Sequence, residues 1–201
     1  MNRVAFTGHI AGFGSTAGVR MVVGSWLTSP FGRFADVMVE TADGERILLA
    51  PSTEIAEFVA STYSFDATVI GSAFVAQTAT TFSVTAPDLD VACQIGGPAA
   101  FDWLLRLVPG PIATAPMWLH AINPVAALLM PGVHTAGSAG HGRREFYGVR
   151  RTHRIVELSG AFRGVSLGGL ADLHPPVRFG FSSAPAVPQL VSVTTTIDLP
   201  S

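Results

Sequence analysis

For most of its length the chain alternates apolar and polar residues with the period of two that marks strands, switching to helical spacing in a few short stretches. Residues 3–13 and 18–29 carry β-branched and aromatic residues at strand density, with Val19, Met21, Val23 and Leu27 on one parity, and predict a hairpin. The run ADVMVETADGERILLAP predicts a second one. Asp43-Gly44 suits the two positive-φ positions of a type I′ turn, which would pair residues 37–42 with 45–50. The period then changes in PSTEIAEFVASTY. Ser52 or Thr53 can cap a helix, Glu54 and Glu57 sit in its first turn where the dipole favours them, and Ile55, Phe58, Val59 and Tyr63 form one stripe.

Strand character returns over residues 67–95, enough for two or three strands with Pro87 at a turn. Residues 98–110 and 123–132 read as short helices bounded by Pro and Gly, which makes 98–133 a helical, proline-broken insert. From 144 to 200 the pattern is again β, in REFYGVRRTHRIVELSG, AFRGVSL, VRFGFSS and QLVSVTTTIDL. Roughly ten strands and about three short helices are expected. The fold class these predict is mostly β (α+β), a single antiparallel barrel-like or curved-sheet domain over 1–201. Curvature or closure would also protect the edges of so many apolar strands.

Composition narrows the function. Apolar residues make up 48% of the 201 and charged residues 13%, about half the usual charged share, so much of the surface is uncharged. The partners this implies are an apolar small-molecule ligand and a second copy of the chain, as a homo-oligomer. A net charge of −2 and a pI near 6.3 supply no basic field, so no nucleic acid is expected. The twelve basic residues are all Arg, and without Lys there is no Schiff-base lysine, Walker lysine or lysine general base. Cys93 is alone and MNRVAFTG lacks the form of a signal peptide, which points to a cytoplasmic protein. Residues 111–133 are apolar enough for a membrane span, but Pro111, Pro116, Pro124 and Pro131 break them. A linker, lid or interface is expected there, with no stable span.

Three short strings resemble known signatures. Thr7-Gly8, three residues, then Gly12-Phe13-Gly14 resembles the TGxxxGxG fingerprint of the short-chain dehydrogenases, and that resemblance would imply an NAD(P)-dependent oxidoreductase. Such a turn needs a helix behind it to hold the phosphates, whereas STAGVRMVVGSWLTSPFG has two internal glycines, a Val-Met-Val alternation and Pro30. Tyr147 and Arg151 stand where the family's YxxxK pair would need a lysine, so a β-turn or bulge is expected at the glycines and no cofactor is assigned. Gly24-Ser25-Trp26 resembles the GxW of lipocalins and related barrels, and supports a barrel. Gly164 to Gly168 resembles the GxSxG nucleophile elbow of α/β-hydrolases around Ser166. However, Pro175 follows too soon for the helix an elbow requires, and a bent strand is expected instead.

Candidate chemistry concentrates in HGRREFYGVRRTHRIVE, residues 141–157, which holds five of the twelve arginines. A regular strand over 145–157 would put Glu145, Tyr147, Val149, Arg151, His153, Ile155 and Glu157 on one face. Arg151 is then a grip for a carboxylate or phosphate, His153 a proton carrier near neutral pH, Glu157 an acid that orients a nearby cation and Tyr147 a further ligand-binding group. His153 and Glu157 are the catalytic candidates. The competing reading is an exposed strand whose charges pair with neighbours and add solubility. Trp118 and His120, within the apolar 111–133 stretch, are candidates for a pocket wall, although such a histidine is often only hydrogen-bonded in a core. His134, His141, His153 and His174 show no known ligand spacing, so no metal is assigned. Two functions lead: a protein binding a small apolar or amphipathic molecule, and a cofactor-independent enzyme using the Tyr147, Arg151, His153 and Glu157 row. A purely structural or oligomerising domain is the third, and the NAD(P)-dependent oxidoreductase ranks behind the first two.

Overall fold

The computed structural model describes residues 2–100, 102–108, 136–139, 143–180 and 186–199. Within these the chain forms β1 (Asn2–Ser15), β2 (Arg20–Thr28), β3 (Phe34–Glu40), β4 (Arg46–Ala50), α1 (Thr53–Ala60), β5 (Ala67–Ile70), β6 (Phe74–Gln77), β7 (Thr81–Ala86) and β8 (Leu89–Pro98). There follow α2 (Asp102–Leu105), β9 (Ala136–Ala139), β10 (Arg143–Phe162), β11 (Val165–Ser166), β12 (Leu170–Ala171) and β13 (Gln189–Leu199). All these strands join one sheet with the path β5-β4-β3-β2-β1-β13-β10-β8-β7-β6, while β9 and β11 pair with β10 and β12 with β1. The mostly-β curved sheet expected from the sequence is therefore present. It has thirteen strands and two short helices among the described residues, against the roughly ten and three expected. The helix expected at 123–132 and the apolar 111–133 stretch lie outside the described residues. Among those described, no helix is long and apolar enough to cross a membrane.

The sheet curls around an apolar band that crosses its inner face from β4 to β7. Ala11 and Phe13 of β1, Met21 and Val23 of β2, Val37 and Val39 of β3, and Ile47 and Leu49 of β4 are all buried. They share one cluster with Phe82 and Val84 of β7, Val91 and Cys93 of β8, Ile155, Leu158 and Phe162 of β10, and Leu190. Strands far apart along the path can meet in one core only if the sheet bends back on itself. The ends β5 and β6 do not pair, so the curl stays open.

On the outer face α1 covers Leu48 and Ala50 with Ile55, Ala56 and Val59. Consecutive residues of β4 are therefore buried on both sides, which explains its uninterrupted apolar run. Ser52 caps α1, its hydroxyl accepting from the Ile55 amide at 3.3 Å. A second outer cluster, Leu173, Val177 and Phe179, is pinned by charge: buried Glu40 accepts from the Arg178 amide and Nε at 2.7 Å each and pairs with Arg20 at 3.3 Å.

Several expectations are corrected. The sheet is not wholly antiparallel, because β4 and β5 are parallel and α1 provides the crossover that a parallel pair requires. The 37–50 hairpin forms, but its turn is not type I′. Of Asp43 and Gly44 only Gly44 has positive φ (93°), the Gly44 amide donates to the Thr41 carbonyl, and Ala42, Asp43 and Gly44 make a three-residue loop. The turn with two positive φ values is Arg163-Gly164 (51° and 74°), which joins β10 to β11. Gly12-Phe13-Gly14 is neither a nucleotide-binding turn nor a β-turn. It lies inside β1, between β2 on one side and β13 and β12 on the other, and a Cβ at Gly14 would collide with the Asp172 carbonyl of the neighbouring segment. The irregularity expected in this string falls instead at Thr7-Gly8, where the register against β2 shifts. Ser166 sits in the short antiparallel β11, so no elbow forms. The segment VRFGFSS is not a strand over 177–180, and 181–185 lie outside the described residues. The expected 98–110 helix shortens to the single turn of α2.

Candidate functional site at the mouth of the curl

The inner face changes chemistry along the strands. On β1 it runs Phe13, Ala11, His9, Thr7, and on β2 Met21, Val23, Ser25, Leu27; in each case the first two are buried and the next polar. Cross-strand register lines these positions up. His153, Leu190, Ala11, Val23, Val37 and Leu49 form one lateral row level with the core. One step towards the open end, Arg151, Ser192, His9 and Ser25 form the next row across β10, β13, β1 and β2. Arg151 and His9 are thus two strand spacings apart, roughly 10 Å.

Above this level lies an open concave pocket of about 280 Å³ lined by His9, Ser25, Leu27, Arg33, Val75, Gln77 and Thr78. Its walls come from β1 and β2 on one side and from β6, the far end of the sheet path, on the other. The same curl that closes the core therefore creates it. Leu27 and Val75 give it apolar surface, with Leu27 left 45% exposed. Burial of the His9 imidazole, helped by the charge of Arg150, lowers its pKa and so favours the neutral ring. Thr7 and Thr194 share a hydroxyl hydrogen bond of 3.3 Å on the same inner face.

The expected row along 145–157 is divided. Arg150 is an extra residue where Val149 faces Val193 and Arg151 faces Ser192, and Val156 is another between Ile155 and Glu157. Each bulge reverses which face the following residues occupy. Glu145 and Tyr147 consequently point to the outer face, Arg151 and His153 to the inner, and Glu157 outward again, exposed. Arg151 is already engaged: its Nε donates to Asp102 Oδ1 at 3.3 Å, and the same oxygen accepts from the Thr152 amide at 2.8 Å. His153 is half-buried at the edge of the core. Trp118 and His120 lie outside the described residues.

On the outer face Tyr147 and Glu145 meet a residue the strand pattern did not single out for chemistry. Tyr63, just past α1, lies with its hydroxyl 2.5 Å from that of Tyr147, and it donates to the Glu145 carboxyl at 3.1 and 3.2 Å. Burial pushes Glu145 up to about 7 against the opposing pull of the two tyrosines, and pushes Tyr63 well above its usual value. Asp36, also buried on this face, is raised to about 6 while accepting from Trp26 Nε1 at 2.9 Å. The Trp of the GxW string therefore anchors an outer aromatic cluster with Phe6 and Phe34.

His9, Arg33 and Gln77 escaped the sequence reading. His9 shares parity with Ala11 and Phe13, which would have placed it inside, but nothing local connects it with Gln77 nearly seventy positions on. No group of metal-ligating residues occurs among the described residues. No family model and no curated protein matches the chain. Among solved structures it is similar to acetoacetate decarboxylase from Legionella pneumophila, at 11% identity and a TM-score of 0.39, over 98% of this chain and 82% of that one. A likeness at that level carries no function across.

Proposed function

We propose that the protein binds a small amphipathic molecule in the concave pocket at the mouth of the curl, without chemistry on it. The observation that carries this reading is the lining itself. Leu27 and Val75 offer apolar surface beside His9, Ser25, Arg33, Gln77 and Thr78, in a volume near the lower end for small-molecule sites. Arg151 and His153 lie on the same inner face, two strands away on β10, and are not part of the lining. The division of the 145–157 row favours binding over catalysis, because Tyr147 and Glu157 face away from Arg151 and His153 and the four cannot act on one substrate.

The test is isothermal titration of octanoate into the full chain and into Val75→Trp, which fills the pocket from an edge strand. Octanoate binding that Val75→Trp removes while leaving the unfolding midpoint in place supports the reading. Binding unaffected by the bulky side chain contradicts it.

A further inference from the structure

Resting on that pocket, we propose that the head group of its ligand is an anion, held by the Arg33 guanidinium with His9 and Gln77 as hydrogen-bonding neighbours. Three observations carry this. Arg33 makes no ion pair among the described residues, a condition it shares with Arg106, Arg150 and Arg154, while Arg3, Arg20, Arg46, Arg151, Arg163 and Arg178 each have a carboxylate partner; of the unpaired four, Arg33 alone belongs to the pocket lining. None of the seven residues lining the pocket is acidic, and the guanidinium is the only permanent charge of that lining. Arg150 also acts on the same place, since its charge is felt by His9.

The chemistry of the lining follows from these. A guanidinium presents a planar fork of N–H donors that matches the paired oxygens of a carboxylate, sulfate or phosphate ester. In the neutral form that its burial favours, one His9 ring nitrogen donates and the other accepts. Gln77 and Ser25 add uncharged donors, and Leu27 and Val75 receive the ligand's apolar part. A cationic head group would meet Arg33 with no carboxylate in the lining to offset it.

Titration with octanoate, octyl sulfate, octan-1-ol and octyltrimethylammonium, which share one tail, separates the head group from the tail. Octanoate and octyl sulfate are expected to bind roughly tenfold more tightly than octanol, with octyltrimethylammonium weakest. Arg33→Ala should bring both anions to the level of octanol and leave octanol unchanged, and added NaCl should weaken only the anions. Octanol binding as well as the anions, or an anion preference that survives Arg33→Ala, overturns the inference while the pocket reading stands. If no probe binds, the pocket reading falls and takes this inference with it.

Discussion

The two faces of the sheet have used their polar residues in opposite ways. On the outer face Glu40, Asp36 and Glu145 are buried and each is bonded to another side chain: Glu40 to Arg20 and Arg178, Asp36 to Trp26, Glu145 to Tyr63. On the inner face Arg151 is paired with buried Asp102, but His9, Ser25, Arg33, Gln77 and Thr78 sit at the mouth, half-buried or exposed, and Arg33 has no ion-pair partner among the described residues. Bonded, buried polar groups fix one arrangement of segments, whereas exposed and unpaired ones cost little stability and are free for a ligand. Outer-face substitutions should therefore change stability, and mouth substitutions should change binding.

The largest effect is expected at Glu40. Glu40→Gln leaves the Arg20 guanidinium buried without its counter-charge and loosens the 173–179 segment, at a cost of about 3–5 kcal/mol in urea unfolding. Loss of less than 1 kcal/mol would remove the distinction between the faces.

Glu145 sharpens the comparison through pH. Its carboxyl is raised from 4.5 to about 7 on folding, so the folded state holds the proton more tightly than the unfolded chain. The stability this contributes is complete below about pH 4.5 and is lost as pH rises through 7, on the order of 3 kcal/mol over the interval. Glu145→Gln should flatten that part of the profile when unfolding free energy is measured from pH 4.5 to 8. Parallel curves for the two proteins would contradict the burial assigned to Glu145.

Smaller effects follow at α1 and at the mouth. Ser52→Ala removes the cap of the helix that covers β4 and should cost about 1 kcal/mol. Arg33→Ala and Gln77→Ala should shift the unfolding free energy by no more than about 0.5 kcal/mol, because neither holds the fold together. A mouth substitution as costly as Ser52→Ala would show that the mouth is part of the scaffold.

What was legible in the sequence was local. Strand-forming composition marks β1 and β13, parity marks β2, Gly44 marks the hairpin loop, and Ser52 with the Ile55–Val59 stripe marks α1. The parallel pairing of β4 with β5 was not legible, since an apolar run carries no direction. Nor were the bulges at Arg150 and Val156, which occur at ordinary strand residues and are visible only against the partner strand. Those two extra residues divided a plausible catalytic row into an outer pair and an inner pair. The pocket depends on longer range still, because His9 and Gln77 meet only once the whole sheet has curled.

The most direct test of the division between faces is amide chemical-shift mapping while octanoate is titrated into the isotope-labelled protein. Shifts that cluster at His9, Ser25, Leu27, Arg33 and Gln77 and spare Tyr63, Glu145 and Tyr147 are the predicted result. Shifts centred on Tyr63 and Tyr147, or scattered over the surface without saturation, would contradict it.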